Sequence, residues 1–197
     1  MKKIILYLIV VSIISACKKD PKICANYTDL KDTKHLVDIS PLKAAPELID
    51  TLNKHPNLQV FQIYSDQYIT SMKCNIFFKG MKILNYTYGI YKTTNSIFSP
   101  DVLNESGPLT FVDSIKIASF NPAIDYLTAI NIAKKNMNYG TTCISYRLGI
   151  YCTSIDSLPS PKSYKLAWAV QGENGYPYVY LDANNGQVYD EFDGVEE

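Results

Sequence analysis

The 197-residue sequence is poor in the residues that most chemistry needs. It holds two histidines, His35 and His55, one tryptophan, Trp168, and one arginine, Arg147. The histidines stand twenty residues apart, no HExxH and no CxxC occurs, and neither histidine has a second ligand at metal spacing. A zinc site or a zincin centre is therefore not expected. No G-x-S-x-G occurs, and neither histidine sits in a triad context, so a serine nucleophile has no support either. Charge of either sign is not in excess: 19 basic and 19 acidic side chains cancel, which removes the basic field a nucleic-acid binder needs. No long apolar run is present; the stretch Ile4 to Ser15 has 12 residues, too few to span a bilayer. What the chain does have is an apolar fraction of 47%, enough to bury a core, and sixteen tyrosines against nine glycines. That balance points to a β-rich body with aromatic rows. The length suits one ordinary domain or two small ones.

Lys2 and Lys3 precede the apolar run, and Ile14-Ser15-Ala16-Cys17 closes it. A short positive start, an apolar stretch and small residues before a cysteine have the layout of a signal peptide. The ending resembles the lipobox of bacterial lipoproteins, which implies cleavage before Cys17 and a diacylglyceryl group on its thiol. Membrane affinity would come from the acyl chains, at about 0.8 kcal/mol per buried methylene. The expected location is the bacterial outer membrane, lipid-anchored, on either the periplasmic or the outer face. The mature chain would be Cys17 to Glu197, 181 residues, with 17 basic and 19 acidic side chains. Lys18-Lys19-Asp20-Pro21-Lys22 reads as the start of a solvated tether. Eighteen lysines against the single Arg147 read as compositional bias.

Four cysteines remain: Cys24, Cys74, Cys143 and Cys152. An exported chain meets an oxidising compartment, and four cysteines allow three pairings. Cys24–Cys74 with Cys143–Cys152 is the expected arrangement: the second pair is close in sequence, and the first would pin the N-terminal arm to the body.

Along the chain, Ser40 to Lys54 reads as a helix, with Pro46 in a first turn, Leu48, Ile49 and Leu52 on one face, and His55-Pro56 as the stop. His55 reads as a helix C-terminal residue rather than a base. Strands are expected over Val60 to Tyr64, Tyr68 to Phe78, Ile83 to Tyr91 and Ser96 to Ser99, with a turn at Lys79 to Lys82. Pro100 to Pro108 is rich in turn formers. A second helix should start at Asn121-Pro122, with Asn121 as its cap, and end at Asn138-Tyr139-Gly140. Strand-like runs follow at Ile144 to Cys152, Tyr164 to Gln171 and Tyr176 to Leu181. The last enters a tight Asp182-Ala183-Asn184-Asn185-Gly186 turn and returns through Gln187 to Tyr189. The order helix, strands, helix, strands predicts an α+β fold of two small units, each a helix packed on an antiparallel sheet.

Three segments of the C-terminal half carry a resemblance. They are Ala129-Ile130-Asn131-Ile132-Ala133, Tyr164-Lys165-Leu166-Ala167-Trp168-Ala169-Val170, and the hairpin Tyr178-Val179-Tyr180-Leu181-Asp182-Ala183-Asn184-Asn185-Gly186-Gln187-Val188. In order and spacing this half resembles a PepSY domain. Leu181 and Asn185 depart from that family's usual valine and threonine. The preceding half, Met72 to Tyr91 through Phe78-Lys79-Gly80-Met81-Lys82, resembles the FTP region of thermolysin and fungalysin propeptides, with Met81 and Lys82 departing from its apolar residue and proline. The resemblances imply cystatin-like units. They divide the chain into a signal peptide at 1–16, a lipidated N-terminus and linker at 17–39, an FTP-like unit at 40–115 and a PepSY-like domain at 116–197. Such propeptides assist and inhibit a metalloprotease, and without HExxH this chain would be the propeptide fold without the enzyme.

Trp168 reads as an interface anchor or as a core residue, and the alternation of Leu166, Trp168 and Val170 favours the core. Tyr176, Tyr178 and Tyr180 read as a binding row or as a half-buried surface. Asp182 and Gly186 read as turn residues. Asp190, Glu191, Asp193, Glu196 and Glu197 read as a solvating acidic tail. The function expected is that of a non-enzymatic, monomeric envelope protein without cofactor or metal. It would bind, inhibit or chaperone an exported protease or other envelope protein through Trp168, Tyr176, Tyr178 and Tyr180. The alternative is a surface lipoprotein that stacks a small ligand or glycan on its tyrosines.

Overall fold

The computed structural model describes residues 22–24, 37–93, 97–98, 110–113, 115–140, 143–153, 164–173 and 175–194. The apolar N-terminal run, Cys17, Lys18 to Pro21, His35, the Pro100 to Pro108 segment and Glu196-Glu197 lie outside those residues.

Pro46 decides where the first helix begins. The expected helix from Ser40 to Lys54 divides there into a 3-10 turn, Ser40–Ala44, and α1, Pro46–Lys54. Pro46 has no N–H to give back to the preceding turn, and it pushes Ala45 out of helical backbone, to φ −139° and ψ 71°. Leu42, Ala45 and Leu48 are buried, with Ile49 and Leu52 packed beside them.

Strands β1 (Leu58–Ser65), β2 (Ile69–Phe78) and β3 (Met81–Thr93) form an antiparallel meander. Lys79 and Gly80 both take positive φ, 50° and 80°, the backbone that matches strand twist in a two-residue hairpin. The two-residue β4 (Ile97–Phe98) pairs with the end of β3. After the four-residue α2 (Thr110–Asp113) comes α3, Tyr126–Asn136. The expected cap at Asn121 is displaced to Asp125, whose carboxylate accepts the Thr128 N–H at 2.7 Å. Then follow β5 (Ile144–Cys152), β6 (Tyr164–Gly172), β7 (Tyr178–Asp182) and β8 (Val188–Phe192), paired antiparallel in succession from β5 to β8.

The expectation of two separate helix-on-sheet, cystatin-like units is overturned. The described strands form one mixed sheet in the order β1-β2-β3-β5-β6-β7-β8, with β4 beside β3. The join is a short parallel pairing of β3 and β5, with Ile83 opposite Ile150, both fully buried. Next to it the Asn85 side chain behaves as a further rung: its Nδ2 donates to the Cys152 carbonyl at 2.8 Å, and its Oδ1 accepts the Cys152 N–H at 3.0 Å. Gly149 makes the approach possible, because a Cβ there would come within 2.5 Å of Leu84 Cδ2 and 2.7 Å of the Lys82 carbonyl. The two cores meet across the same seam. Ile150, Cys152 and Tyr164 pack with the α1 side, while Met81 and Ile117 touch both clusters. The second cluster packs Ala129, Ile130 and Ala133 of α3 on Leu166, Trp168, Val170, Val179 and Leu181.

The cysteine pairing also differs from expectation. Cys24 is bonded to Cys143, and the buried Cys74 and Cys152 stand outside that disulfide. The arm is indeed pinned to the body, but at the start of β5. Ile23 bridges Ile144 in parallel, Cys24 N–H donates to the Ile144 carbonyl at 2.8 Å, and Ile144 N–H donates to the Lys22 carbonyl at 2.7 Å. Cys74 and Cys152 instead serve the core beneath α1, and burial pushes the Cys74 thiol up to about 12.

Candidate binding face

Alternation along β7 separates two roles. Val179 and Leu181 point to the α3 side and are fully buried, leaving Tyr178 and Tyr180 on the opposite face of the sheet. Register adds neighbours: Tyr178 lies opposite Phe192, Tyr180 opposite Asp190, and Ala169 of β6 opposite Tyr180 on its other side. The Tyr178 and Tyr180 ring centroids are 4.9 Å apart. Tyr176 precedes the strand, yet its ring continues the row, 6.1 Å from Tyr178 and edge-on to Phe192 at 5.5 Å. Tyr176 is 53% exposed, which makes it the most open ring of the group. At the other end Tyr151 of β5 lies 5.5 Å from Tyr180 and stacks on Tyr189 at 5.0 Å. Six rings thus run without a break over one sheet face.

Trp168 is not part of this surface. It faces α3, is 8% exposed, and donates its indole N–H to the Ile124 carbonyl at 3.0 Å. As a partner-binding candidate it is corrected to a core residue. The alternation with Leu166 and Val170 that favoured the core decides its side. The hairpin supplies the matching clamp. The Ala183 carbonyl accepts from the Ala123 and Ile124 N–H groups, at 2.9 and 3.0 Å, so Trp168 and Ala183 together fix the entrance to α3. Gly186, at φ 76°, is held to glycine by backbone and by space, since a Cβ would approach Ile132 Cδ1 of α3 at 2.6 Å.

Asp182 is more than a turn residue. Its Oδ1 accepts the Asn184 and Asn185 N–H groups at 2.7 and 3.2 Å, and its Oδ2 accepts the Tyr189 hydroxyl. Burial alone would raise its pKa and is the largest single influence. The Tyr189 and backbone hydrogen bonds, with the charge of Lys165, outweigh it together and hold the carboxyl below its ordinary value. The phenols shift the other way. Tyr151 is raised to about 12, by burial first and then by the Asp190 charge. Tyr178 is raised by burial and then by Asp190, whose carboxylate its hydroxyl meets at 3.5 Å. Tyr180 is raised by burial, then by Tyr178 and Asp190. The face therefore presents hydroxyls held in their protonated form beside the side chains of Asp182 and Asp190.

Tyr151, Tyr189 and Phe192 were not among the residues expected to contribute. Tyr151, itself buried at 6% exposure, was legible from β5 alternation, one residue out of phase with Ile150 and Cys152. Tyr189 was not, because the register shifts between Tyr180 and Leu181 and leaves it as the extra residue of a bulge. Among the described residues no group of three or more His, Cys, Asp and Glu side chains could hold a metal, and no helix is long and apolar enough to cross a membrane. Two cavities among the described residues lie away from the aromatic face, one of about 150 Å³ beside Tyr68 and one of about 420 Å³ beside His55 and Phe78.

No family model matches this sequence, and no curated protein matches it. Among solved structures, the C-terminal domain of Bacillus megaterium YpeB is similar, with 14% identity and a TM-score of 0.45 over 79% of this chain and 65% of that one. A likeness that distant lends this chain neither an activity nor a partner.

Proposed function

We propose that the protein is a non-enzymatic binding module of the bacterial envelope, tethered by lipid on Cys17, that holds an exported protein against the β7–β8 face. The observation that carries the reading is the unbroken run of six rings from Tyr151 to Tyr176 on one sheet face. Tyrosine offers large contact area at small entropic cost, and a flat aromatic surface suits a protein, whereas small ligands favour concave sites. The PepSY-like hairpin and the FTP-like meander are the reason to place an exported protease first among partners. The half-open ring of Tyr176 would equally stack a sugar, which keeps a glycan as the second reading.

Purified tethered protein should recover one defined partner from envelope extract, and Tyr176→Ala/Tyr178→Ala should lose it while Trp168 fluorescence stays native-like. Cys17→Ala should leave the membrane fraction. Recovery that is indifferent to the double substitution, or a glycan that raises the melting temperature with no protein recovered, would overturn the protein-partner reading.

A further inference from the structure

The charge of this chain is not spread evenly, although it sums to zero. After Lys165 there is no lysine or arginine, while Glu173, Asp182, Asp190, Glu191, Asp193 and the final two glutamates make seven carboxylates. That stretch is the part of the chain that builds β7, β8 and their aromatic face.

The topology gives this charge an edge. Among the described residues β8 stands at one end of the strand order, with β7 on one side of it only. An edge strand offers a row of N–H and C=O groups to an added strand. β1 is the edge at the opposite end, and it is apolar as well, with Phe61 and Tyr64 exposed. It carries no charged residue of its own, and the nearby Asp66 is already engaged by the Tyr64 hydroxyl and by the Tyr68 and Ile69 N–H groups. The edge at β8 differs. Asp190 sits on the aromatic side, opposite Tyr180 and 3.5 Å from the Tyr178 hydroxyl, and the Tyr178 ring leads on to the exposed Tyr176.

We propose that this edge takes an extended, cationic segment of a protein partner, added as a strand beside β8. Lysine or arginine side chains of that segment lie over the Tyr178 and Tyr176 rings and reach Asp190. The proposal rests on the binding-module reading and names the partner's chemistry. Ring quadrupoles and a carboxylate both attract a cation, and the added strand supplies main-chain hydrogen bonds that tolerate varied sequence. Alternate side chains of such a segment fall on one face, so basic residues at every second position fit the row. The Asp190 charge already reaches Tyr151, Tyr178 and Tyr180 on that face.

The test is calorimetry of the mature protein with three synthetic peptides: alternating lysine–valine, alternating glutamate–valine, and the lysine peptide with alternate amides N-methylated. Binding of the first alone is expected, weakened by salt as an exposed charge contact is. Asp190→Asn should weaken it about tenfold, and Glu191→Gln, whose Cα partner is the inward-facing Val179, should change it far less. Equal binding of the glutamate or N-methylated peptide, or equal losses in the two variants, overturns the proposal. If the envelope partner is still recovered through Tyr176 and Tyr178 while no lysine peptide binds, the cationic strand is wrong and the binding module stands. If neither is found, both fail.

Discussion

Asp182 ties the hairpin to the aromatic face through one carboxylate. One oxygen closes the turn on Asn184 and Asn185, and the other orients Tyr189, whose ring stacks on Tyr151. Asp182→Asn removes the charge from these hydrogen bonds and should cost about 1–3 kcal/mol, read as a lower urea midpoint. The pH dependence has a defined sign. The folded carboxyl lies below its ordinary value, so its contribution is complete above the unfolded pKa, near 4, and is lost as pH falls through the folded pKa. The gap in urea midpoint between wild type and Asp182→Asn should therefore narrow on acidification. A gap that stays constant from neutral to acid pH would show that the charge does not matter. Asp182 and Gly186 were readable from the sequence as turn residues. The Tyr189 bond was not, because a bulge breaks the alternation that assigns side chains to faces.

At the level of elements, the strands and helices follow their patterns and the join between them does not. Pro46, the Lys79-Gly80 turn and the Asn185-Gly186 step each act through a local backbone preference, so a single sequence exposes them. The β3–β5 pairing has no such local sign. It depends on Asn85 meeting the Cys152 backbone 67 residues away and on Gly149 giving room to Leu84. Neither Asn85 nor Gly149 stands out in its own strand, and this is why two units were expected where one sheet exists. Gly149→Ala should destabilise the whole protein by about 1–3 kcal/mol, the usual cost of overpacking. One cooperative denaturation transition should persist at a lower midpoint. Two separated transitions in the wild type would mean that the halves fold independently.

Across the whole molecule, the sheet sets a buried core face against an aromatic face. The α3 side buries Trp168, Val179 and Leu181, and the other side gathers rings from β5, β7, β8 and the approach to β7. The tyrosines at 176, 178 and 180 were legible because they are close in sequence. Tyr151 and Phe192 come from strands brought together only by folding. The disulfide from Cys24 to Cys143 spans 119 residues and clips the N-terminal arm to the start of β5. Proximity in sequence favoured Cys143–Cys152, but β5 is extended and carries its two ends apart. With lipid on Cys17, that clip would leave few residues between membrane and body.

The most direct measurement is site-specific photo-crosslinking in intact cells. A benzoylphenylalanine probe replaces Tyr178 in one strain and Tyr68 in another, the latter 65% exposed but at the far end of the sheet. A discrete crosslinked protein from position 178 and none from position 68 is the predicted result. No adduct at 178, or the same adducts from both positions, would contradict a protein-binding role for the aromatic face.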